Sequence, residues 1–248
     1  MDKLYGGIDG CKGGWVFVYG DLKRNINCTV KKSLSEILGL IQLQSIRTAI
    51  DMPIGLNRCA VRRCDSKAAE KLGKNGSSVF PMPGSCAVEK IELPYFTKGD
   101  FRKFKDFNTK HNDRCGRKIP LSTFCIMNKI YEINCEYADV VRKLQMEELL
   151  FEFHPELFFN NKRNGLSPKK SPTGLNDRCN IIQKYLPNFN YSDLIDEWRK
   201  GQCNNVQRDD VVDASAGMIL ASEYEKSHEL SFPNEDISEN HLVISIRY

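Results

Sequence analysis

Apolar positions in the first fifty residues fall in short runs that are typical of β-strands. Runs at Leu4–Ile8 and Trp15–Tyr19 flank a glycine-rich turn, which predicts an antiparallel hairpin. A third run around Cys28–Val30 would extend the hairpin into a meander. Ser33 then begins a helical pattern as an N-cap. The short strand Thr48–Ile50 follows, and a proline stops it.

The rest of the chain is dominated by helical periodicity, interrupted by one apolar strand at Leu149–Phe153. The predicted helices are Cys64–Leu72, a helical stretch from Leu121 to about Glu148, one that begins at Pro155, and segments near Leu175–Tyr185, Ser192–Arg199 and Asp209–Lys226. The order predicts an α/β fold with a mixed sheet and helices on its faces. We expect one domain over residues 1–226, with a helical and loop insertion at about 58–148. Residues 227–248 would form a tail, in which His241–Ile246 could add an edge strand.

Composition places the chain among ordinary globular proteins. It has 248 residues, of which 41% are hydrophobic and 27% charged, and it contains no apolar run of membrane-spanning length. The first residues lack the pattern of a signal peptide, so a cytoplasmic location without membrane partners is expected. The net charge of +4 is compatible with nucleic acid but does not require it.

The ten cysteines have scattered spacings. No pair is separated by only two residues, which argues against a zinc ribbon or finger. Reduced thiols with structural or incidental roles are the expectation for a chain that is not secreted.

Carboxylates follow the predicted strands at three places. Asp9 ends the first strand, Asp51 ends the fourth, and Glu152 ends the fifth, close to His154. Each could have a local role instead: Asp-Gly is a common turn dipeptide, and a strand-end acid can form a structural salt bridge. The three strands can be neighbours in a mixed sheet, however, and their ends would then meet at one edge.

A further pair of acids lies on the last predicted helix. Asp210 and Asp213 are three residues apart and share a face, although Asp209 and Asp213 could share it instead. Acids in a first helical turn also favour the helix dipole, and that alternative fits Asp209 best. Buried carboxylates repel one another unless a cation compensates. Asp9, Asp51, Asp210 and Asp213 are therefore predicted to bind metal, as two Mg²⁺ or Mn²⁺ ions about 4 Å apart.

Many ordered phrases of the chain resemble a family known as domain of unknown function 429, which is described as predicted nucleases with a ribonuclease H-like fold. The matching phrases are Gly7–Val16, Ala49–Leu56, Arg63–Asp65, Leu72–Gly73, Ser77–Pro83, Gly116–Ile119, Lys129–Ile133, Phe151–Glu156, Lys169–Lys170 with Gly174 and Arg178, and Asp209–Ala214. The resemblance implies a ribonuclease H-like five-stranded sheet with a helical insertion before the last core strand.

The resemblance also implies roles for individual residues. Asp9, Asp51, Asp210 and Asp213 match acids of the wider ribonuclease H-like superfamily, whereas Glu152 has no secure counterpart and is kept as a catalytic candidate. The candidate substrate-binding residues are Lys129, His154, Lys169, Lys170 and Arg178. Several basic residues common in the family are absent here, for example at Ala69 and after Pro83. The metal ligands are thus better supported than any inherited substrate preference.

The stretch Lys98–Lys118 is basic and carries three interleaved phenylalanines. It could follow a phosphate backbone while the rings stack on bases. The near-helical spacing of Phe101, Phe104 and Phe107 equally fits a solvated helix whose rings pack inward.

Three functions remain open on the sequence. A metal-dependent nuclease that hydrolyses phosphodiester bonds of nucleic acid is favoured. A non-catalytic binding module on the same fold is the main alternative. An actin-like, ATP-dependent phosphotransferase would explain the glycines after Asp9, but such enzymes usually need two full domains and a second glycine-rich loop.

Overall fold

The computed structural model describes residues 3–23, 25–88, 101–169, 171–188, 206–232, 238 and 240–248. The strands are β1 (Tyr5–Cys11), β2 (Gly14–Gly20), β3 (Ile26–Lys31), β4 (Arg47–Asp51), β5 (Leu150–Glu152), β6 (Glu229–Ser231) and β7 (Ser245–Arg247). The helices are α1 (Leu34–Gln44), α2 (Arg63–Leu72), α3 (Ser85–Val88), α4 (Phe101–Cys115), α5 (Leu121–Cys125), α6 (Met127–Tyr131), α7 (Ala138–Met146), α8 (Pro155–Lys162), α9 (Pro172–Tyr185) and α10 (Arg208–Ser222). The helix predicted near Ser192–Arg199 lies outside the described residues.

The five core strands form one mixed sheet in the order β3-β2-β1-β4-β5. Strands β1, β2 and β3 pair antiparallel, as the short apolar runs and the glycine-rich turn predict. Strand β4 pairs parallel with both β1 and β5. This confirms the predicted mixed five-stranded α/β sheet, and the strand order is consistent with a ribonuclease H-like arrangement.

Helix α10 packs directly against β1, because both surfaces lack bulk at the contact. A Cβ atom built on Gly7 would lie 1.8 Å from the carbonyl oxygen of Ala214 and 2.4 Å from the amide nitrogen of Met218. The helix is buried from Val211 to Ala221. Glycine at position 7 therefore sets how closely this helix, and the acids at its start, approach the sheet.

The insertion between β4 and β5 is helical, as predicted, but its second half is broken into short pieces. Helices α5, α6 and α7 are separated by a break at Ile126 and a single π-turn over Glu132–Glu136. The side chain of Asn134 explains the π-turn. Its amide donates to the carbonyl oxygens of Ile130 and Pro53, both at 2.9 Å, and its Oδ1 accepts from Gly55 N–H at 2.7 Å.

Helix α4 carries the basic stretch, and two of its phenylalanines pack inward. The rings of Phe104 and Phe107 lie 5.2 and 5.8 Å from that of Phe124, whereas Phe101 is exposed. Two basic groups near the helix end, Arg114 and Arg117, donate to backbone carbonyls. The packing alternative thus accounts for two of the three rings.

The chain divides into two compact units. One comprises Met1–Met52, Met146–Glu229 and Arg247–Tyr248, and it contains the five-stranded sheet. The other comprises Pro53–Gln145 and Leu230–Ile246. The expected single domain over residues 1–226 stays a prediction. In the predicted tail, β6 and β7 pair with each other, and Arg247 forms a parallel bridge with Phe153.

Candidate metal centre

Asp9 and Asp51 are brought together by the parallel pairing of β1 and β4. Their Cα atoms are register partners, so both side chains leave the same face of the sheet at neighbouring positions. Asp51 is the last residue of β4, and the Oδ1 atom of Asp9 accepts the Gly10 N–H at 2.6 Å. The predicted meeting of these two strand-end carboxylates is present in the structure.

Asp213 completes the cluster from α10. Its side chain is 3% exposed, and one carboxylate oxygen from each of Asp9, Asp51 and Asp213 lies within 4.8 Å of the other two. The Oδ1 atom of Asp213 is buried and has no hydrogen-bond partner among the described residues. A buried carboxylate oxygen without a donor is costly, so the arrangement suits a bound cation.

Electrostatics in the cluster favour protonation when no metal is bound. Burial raises the pKa of Asp9 well above its usual value, and Asp51 and Asp213 raise it further. Burial and Asp213 likewise raise the pKa of Asp51. For Asp213, burial raises the pKa to about 6 despite the neighbouring Lys169. Ionisation of all three carboxyl groups therefore requires a compensating cation.

Lys169 supplies a compensating charge from within the protein. Its Nζ atom donates to Oδ2 of Asp213 and lies 3.4 Å from Oδ2 of Asp209. Burial disfavours the charged ammonium, but Asp213 and Asp9 outweigh it and raise the pKa of Lys169. The sequence placed Lys169 among substrate-binding residues. The structure shows it paired with Asp213, a contact that its position in a polar loop did not indicate, and its substrate-binding role stays a prediction.

Asp210 is near the cluster but has a different partner. Its Oδ2 accepts the backbone N–H of Gln207 at 2.8 Å and closes a capping box at the start of α10. Burial raises its pKa to about 6. Asp210 does not belong to the three-carboxylate group, and its assignment as a metal ligand and catalytic residue stays a prediction. Asp209 and Asp213 share a contact with Lys169.

Two further acids, on β5 and α8, act on the cluster through their charges. Glu152 is buried, and its charge contributes to the raised pKa of Asp51. Glu156 on α8 accepts from the guanidinium of Arg178 at 2.6 Å, and its charge also raises the pKa of Asp51. Both acids add to the negative potential of the site. The catalytic role of Glu152 stays a prediction.

Arg178 occupies a structural position. It is fully buried, and its Nη1 atom donates to the carbonyl oxygens of Ser167 and Gly174 at 3.0 and 2.8 Å. These bonds hold the two sides of the loop that carries Lys169. The side chain of Arg178 has no exposed surface in this structure. Its contact with substrate stays a prediction.

The other candidate substrate residues are placed less directly. His154 lies between β5 and α8 and is the N-cap residue of α8, without a side-chain capping bond. Lys129 is on α6, in the second compact unit. Lys170 lies outside the described residues. For all three, contact with substrate stays a prediction.

The donor set fits a hard divalent cation. Carboxylate oxygens are the ligands that Mg²⁺ and Mn²⁺ prefer, and three of them converge here. Asp9, Asp51 and Asp213 are the residues that could hold one ion. The choice of Mg²⁺ or Mn²⁺ and the count of two ions stay predictions.

The fold and this cluster define the class: an α/β protein whose strand order is consistent with a ribonuclease H-like arrangement, with three carboxylates near the ends of β1 and β4 and on α10. The family described as "Protein of unknown function (DUF429)" matches residues 7–237. The chain belongs to this family, as its phrases predicted. No curated protein and no solved structure gave a significant match. Among the described residues, no helix has both the length and the apolar character to cross a membrane.

Proposed function

We propose that this protein is a metal-dependent nuclease that hydrolyses phosphodiester bonds in nucleic acid. The observation that carries the proposal is the convergence of Asp9, Asp51 and Asp213, with a buried Asp213 oxygen that has no donor among the described residues. A bound Mg²⁺ or Mn²⁺ would supply Lewis acidity and an activated water. The site then needs no side-chain nucleophile.

The residues of the chain would have separate tasks. Asp9, Asp51 and Asp213 would bind the cation, and the buried sheet face beneath them would keep their oxygens in place. Glu152 and Glu156 would add to the negative potential that attracts the metal. Lys169 would leave Asp213 when the metal enters, and its ammonium would then be available to a phosphate oxygen of the substrate.

A non-catalytic binding module remains a second candidate, and one observation favours it. Lys169 already compensates Asp213 and Asp209, so the cluster has a cation of its own. If that pairing persisted in the presence of metal, the site would be structural. The two candidates therefore differ in whether a divalent ion displaces Lys169.

The test combines metal binding with cleavage. Mn²⁺ is titrated calorimetrically into the wild type and Asp51→Asn, and both are incubated with labelled single-stranded, duplex and branched DNA and RNA. Asp139→Asn, which changes an exposed acid on α7, is the matched control. If the protein is a nuclease, cleavage should depend on Mn²⁺. Asp51→Asn should lower the cleavage rate by more than the roughly 10–100-fold loss that follows removal of a group outside the metal's ligands. Asp139→Asn should cleave normally.

The outcomes separate the candidates. Metal binding with cleavage lost in Asp51→Asn supports the nuclease and identifies the substrate from the pool. Saturable nucleic-acid binding without Mn²⁺ binding or cleavage supports the binding module. Cleavage that is equal in both proteins would overturn the carboxylate site as its origin.

A further inference from the structure

Three cysteines that are distant in sequence meet in the second compact unit. The Sγ atoms of Cys59 and Cys115 are 2.8 Å apart, those of Cys59 and Cys86 3.3 Å, and those of Cys86 and Cys115 3.5 Å. Cys59 lies in the loop before α2, Cys86 on α3, and Cys115 ends α4. Because the three are separated by 27 and 29 residues, no short spacing indicates the cluster in the sequence.

The backbone around the thiols is built for close approach. A Cβ atom at Gly84 would lie 2.8 Å from Cys115 Sγ and 2.3 Å from the carbonyl oxygen of Arg58. Only glycine therefore leaves room for the Cys115 sulfur beside the segment that carries Cys86. Packing therefore accounts for glycine here, because the φ angle of Gly84 does not lie in the left-handed region.

A buried histidine ties the same segments together. His111 is fully buried; its Nε2 accepts the Gly84 N–H at 3.0 Å. Its Nδ1 must then be the donor to the Arg117 carbonyl oxygen, at 2.7 Å. Burial lowers the pKa of His111, which keeps the ring neutral and maintains both bonds. The ring thus fixes the segments before α3 and after α4 relative to each other.

Two arginines add positive charge beside the sulfurs. Arg114 Nη1 donates to the Cys86 carbonyl oxygen at 3.1 Å, and Arg117 Nε donates to that of Cys59 at the same distance. The guanidinium groups hold the backbone of two of the three cysteines. They also lie where they can offset the net negative charge that three thiolates and one divalent cation would carry.

We propose that Cys59, Cys86 and Cys115 bind one thiophilic divalent cation of the Zn²⁺ class. A tetrahedral Zn²⁺ with Zn–S bonds of ~2.3 Å separates its sulfur ligands by roughly 3.8 Å. The observed separations of 2.8 to 3.5 Å require outward shifts of a few tenths of an ångström to about one ångström. Three protein ligands leave the fourth position to solvent or an incoming ligand. This site is independent of the carboxylate cluster, because thiolates and carboxylates select different metals.

The experiment uses the full chain, reduced and freed of metal, and titrates it with Co²⁺. Binding at the cluster produces a thiolate-to-cobalt charge-transfer band at one equivalent, and Zn²⁺ should abolish the band while excess Mg²⁺ should not. Cys59→Ser should weaken binding more than ~10-fold. Cys125→Ser, a partly buried cysteine outside the cluster, is the matched control and should behave as wild type. Circular dichroism verifies that both variants fold.

A second readout needs no variant. Zn²⁺ should protect Cys59, Cys86 and Cys115 of the wild type from alkylation, as located by mass spectrometry. Protection of other cysteines, or of none, would overturn the proposal. A charge-transfer band that survives in folded Cys59→Ser would also overturn it. So would a disulfide between two of the three cysteines in the protein before reduction.

Discussion

Lys169 and Asp213 form an ion pair inside the carboxylate cluster: the ammonium contacts Oδ2, while Oδ1 of the same carboxylate is buried without a donor among the described residues. Asp213 thus has one oxygen held by Lys169 and one without a donor, and its carboxylate borders the space that it shares with Asp9 and Asp51. A divalent ion entering that space would compete with Lys169 for the same charge. This competition can be tested.

Lys169→Met should lower the stability of the metal-free protein and increase its stabilisation by Mn²⁺. The variant leaves Asp213 without its internal partner, which costs stability, and it removes the cation that competes with the metal. Thermal melts with and without Mn²⁺ measure both effects.

Lys162→Met is the matched control for that variant. Lys162 also pairs with a carboxylate, Glu223, at 2.5 Å, but its partner is not in the cluster. Its loss should lower the melting temperature without changing the increment that Mn²⁺ produces. An unchanged increment in Lys169→Met as well would show that Lys169 and the metal do not compete.

Asp51→Asn should stabilise the metal-free protein while abolishing its response to Mn²⁺. The neutral amide removes one of three mutually repelling charges, which we expect to raise the free energy of unfolding by about 1–2 kcal/mol. For a chain of this size, that corresponds to a rise of roughly 2–8 °C in melting temperature. A destabilised variant that still responds to Mn²⁺ would show that Asp51 is not a ligand.

The stability of the metal-free protein should fall with increasing pH through the acidic range. The pKa of Asp213 is about 6 in the folded chain against an ordinary value of 3.8, so the folded state binds the proton more tightly than the unfolded state. The stabilisation is therefore complete below about pH 4 and is lost as pH rises through about 6. Denaturant unfolding across this range should show a shallower dependence in Asp51→Asn than in the wild type.

Metal should reverse this trend, because it binds the ionised carboxylates. The increment in melting temperature produced by Mn²⁺ should be small near pH 5 and large near pH 7.5. An increment independent of pH would place the Mn²⁺ on groups that do not titrate in this range.

Gly7→Ala should disrupt the metal site without changing any ligand. The added methyl group would lie 1.8 Å from the Ala214 carbonyl oxygen, so α10 must move away from the sheet and take Asp213 with it. We expect a loss of several kcal/mol in stability and a weaker response to Mn²⁺. Gly39→Ala, whose Cβ would meet no atom within 4 Å in α1, is the control and should gain up to about 1 kcal/mol.

Much of the sheet and two of its acids could be predicted from local patterns. The glycine turn, the short apolar runs and the position of Pro53 indicate β1, β2 and β4, and acids that end neighbouring parallel strands lie close together. Asp213 followed from helical spacing in the same way. These features can be predicted from the sequence because each depends on a few adjacent residues.

The rest depends on contacts between distant segments. Nothing near Lys169 in sequence indicates that it pairs with an acid 44 residues later. The three cysteines meet only after α3 and α4 have packed. Such placements are set by tertiary packing, which the local pattern does not encode.

The pairing of Asp9 with Asp51 would also make any affinity for metal depend on correct strand alignment. A strand that slipped by one residue would turn its carboxylate to the opposite face of the sheet, although most backbone hydrogen bonds could re-form. Such a misfolded chain could retain its secondary structure and still have no cation site. A divalent ion would therefore stabilise the form of the chain in which the central strands are aligned correctly, relative to other compact forms.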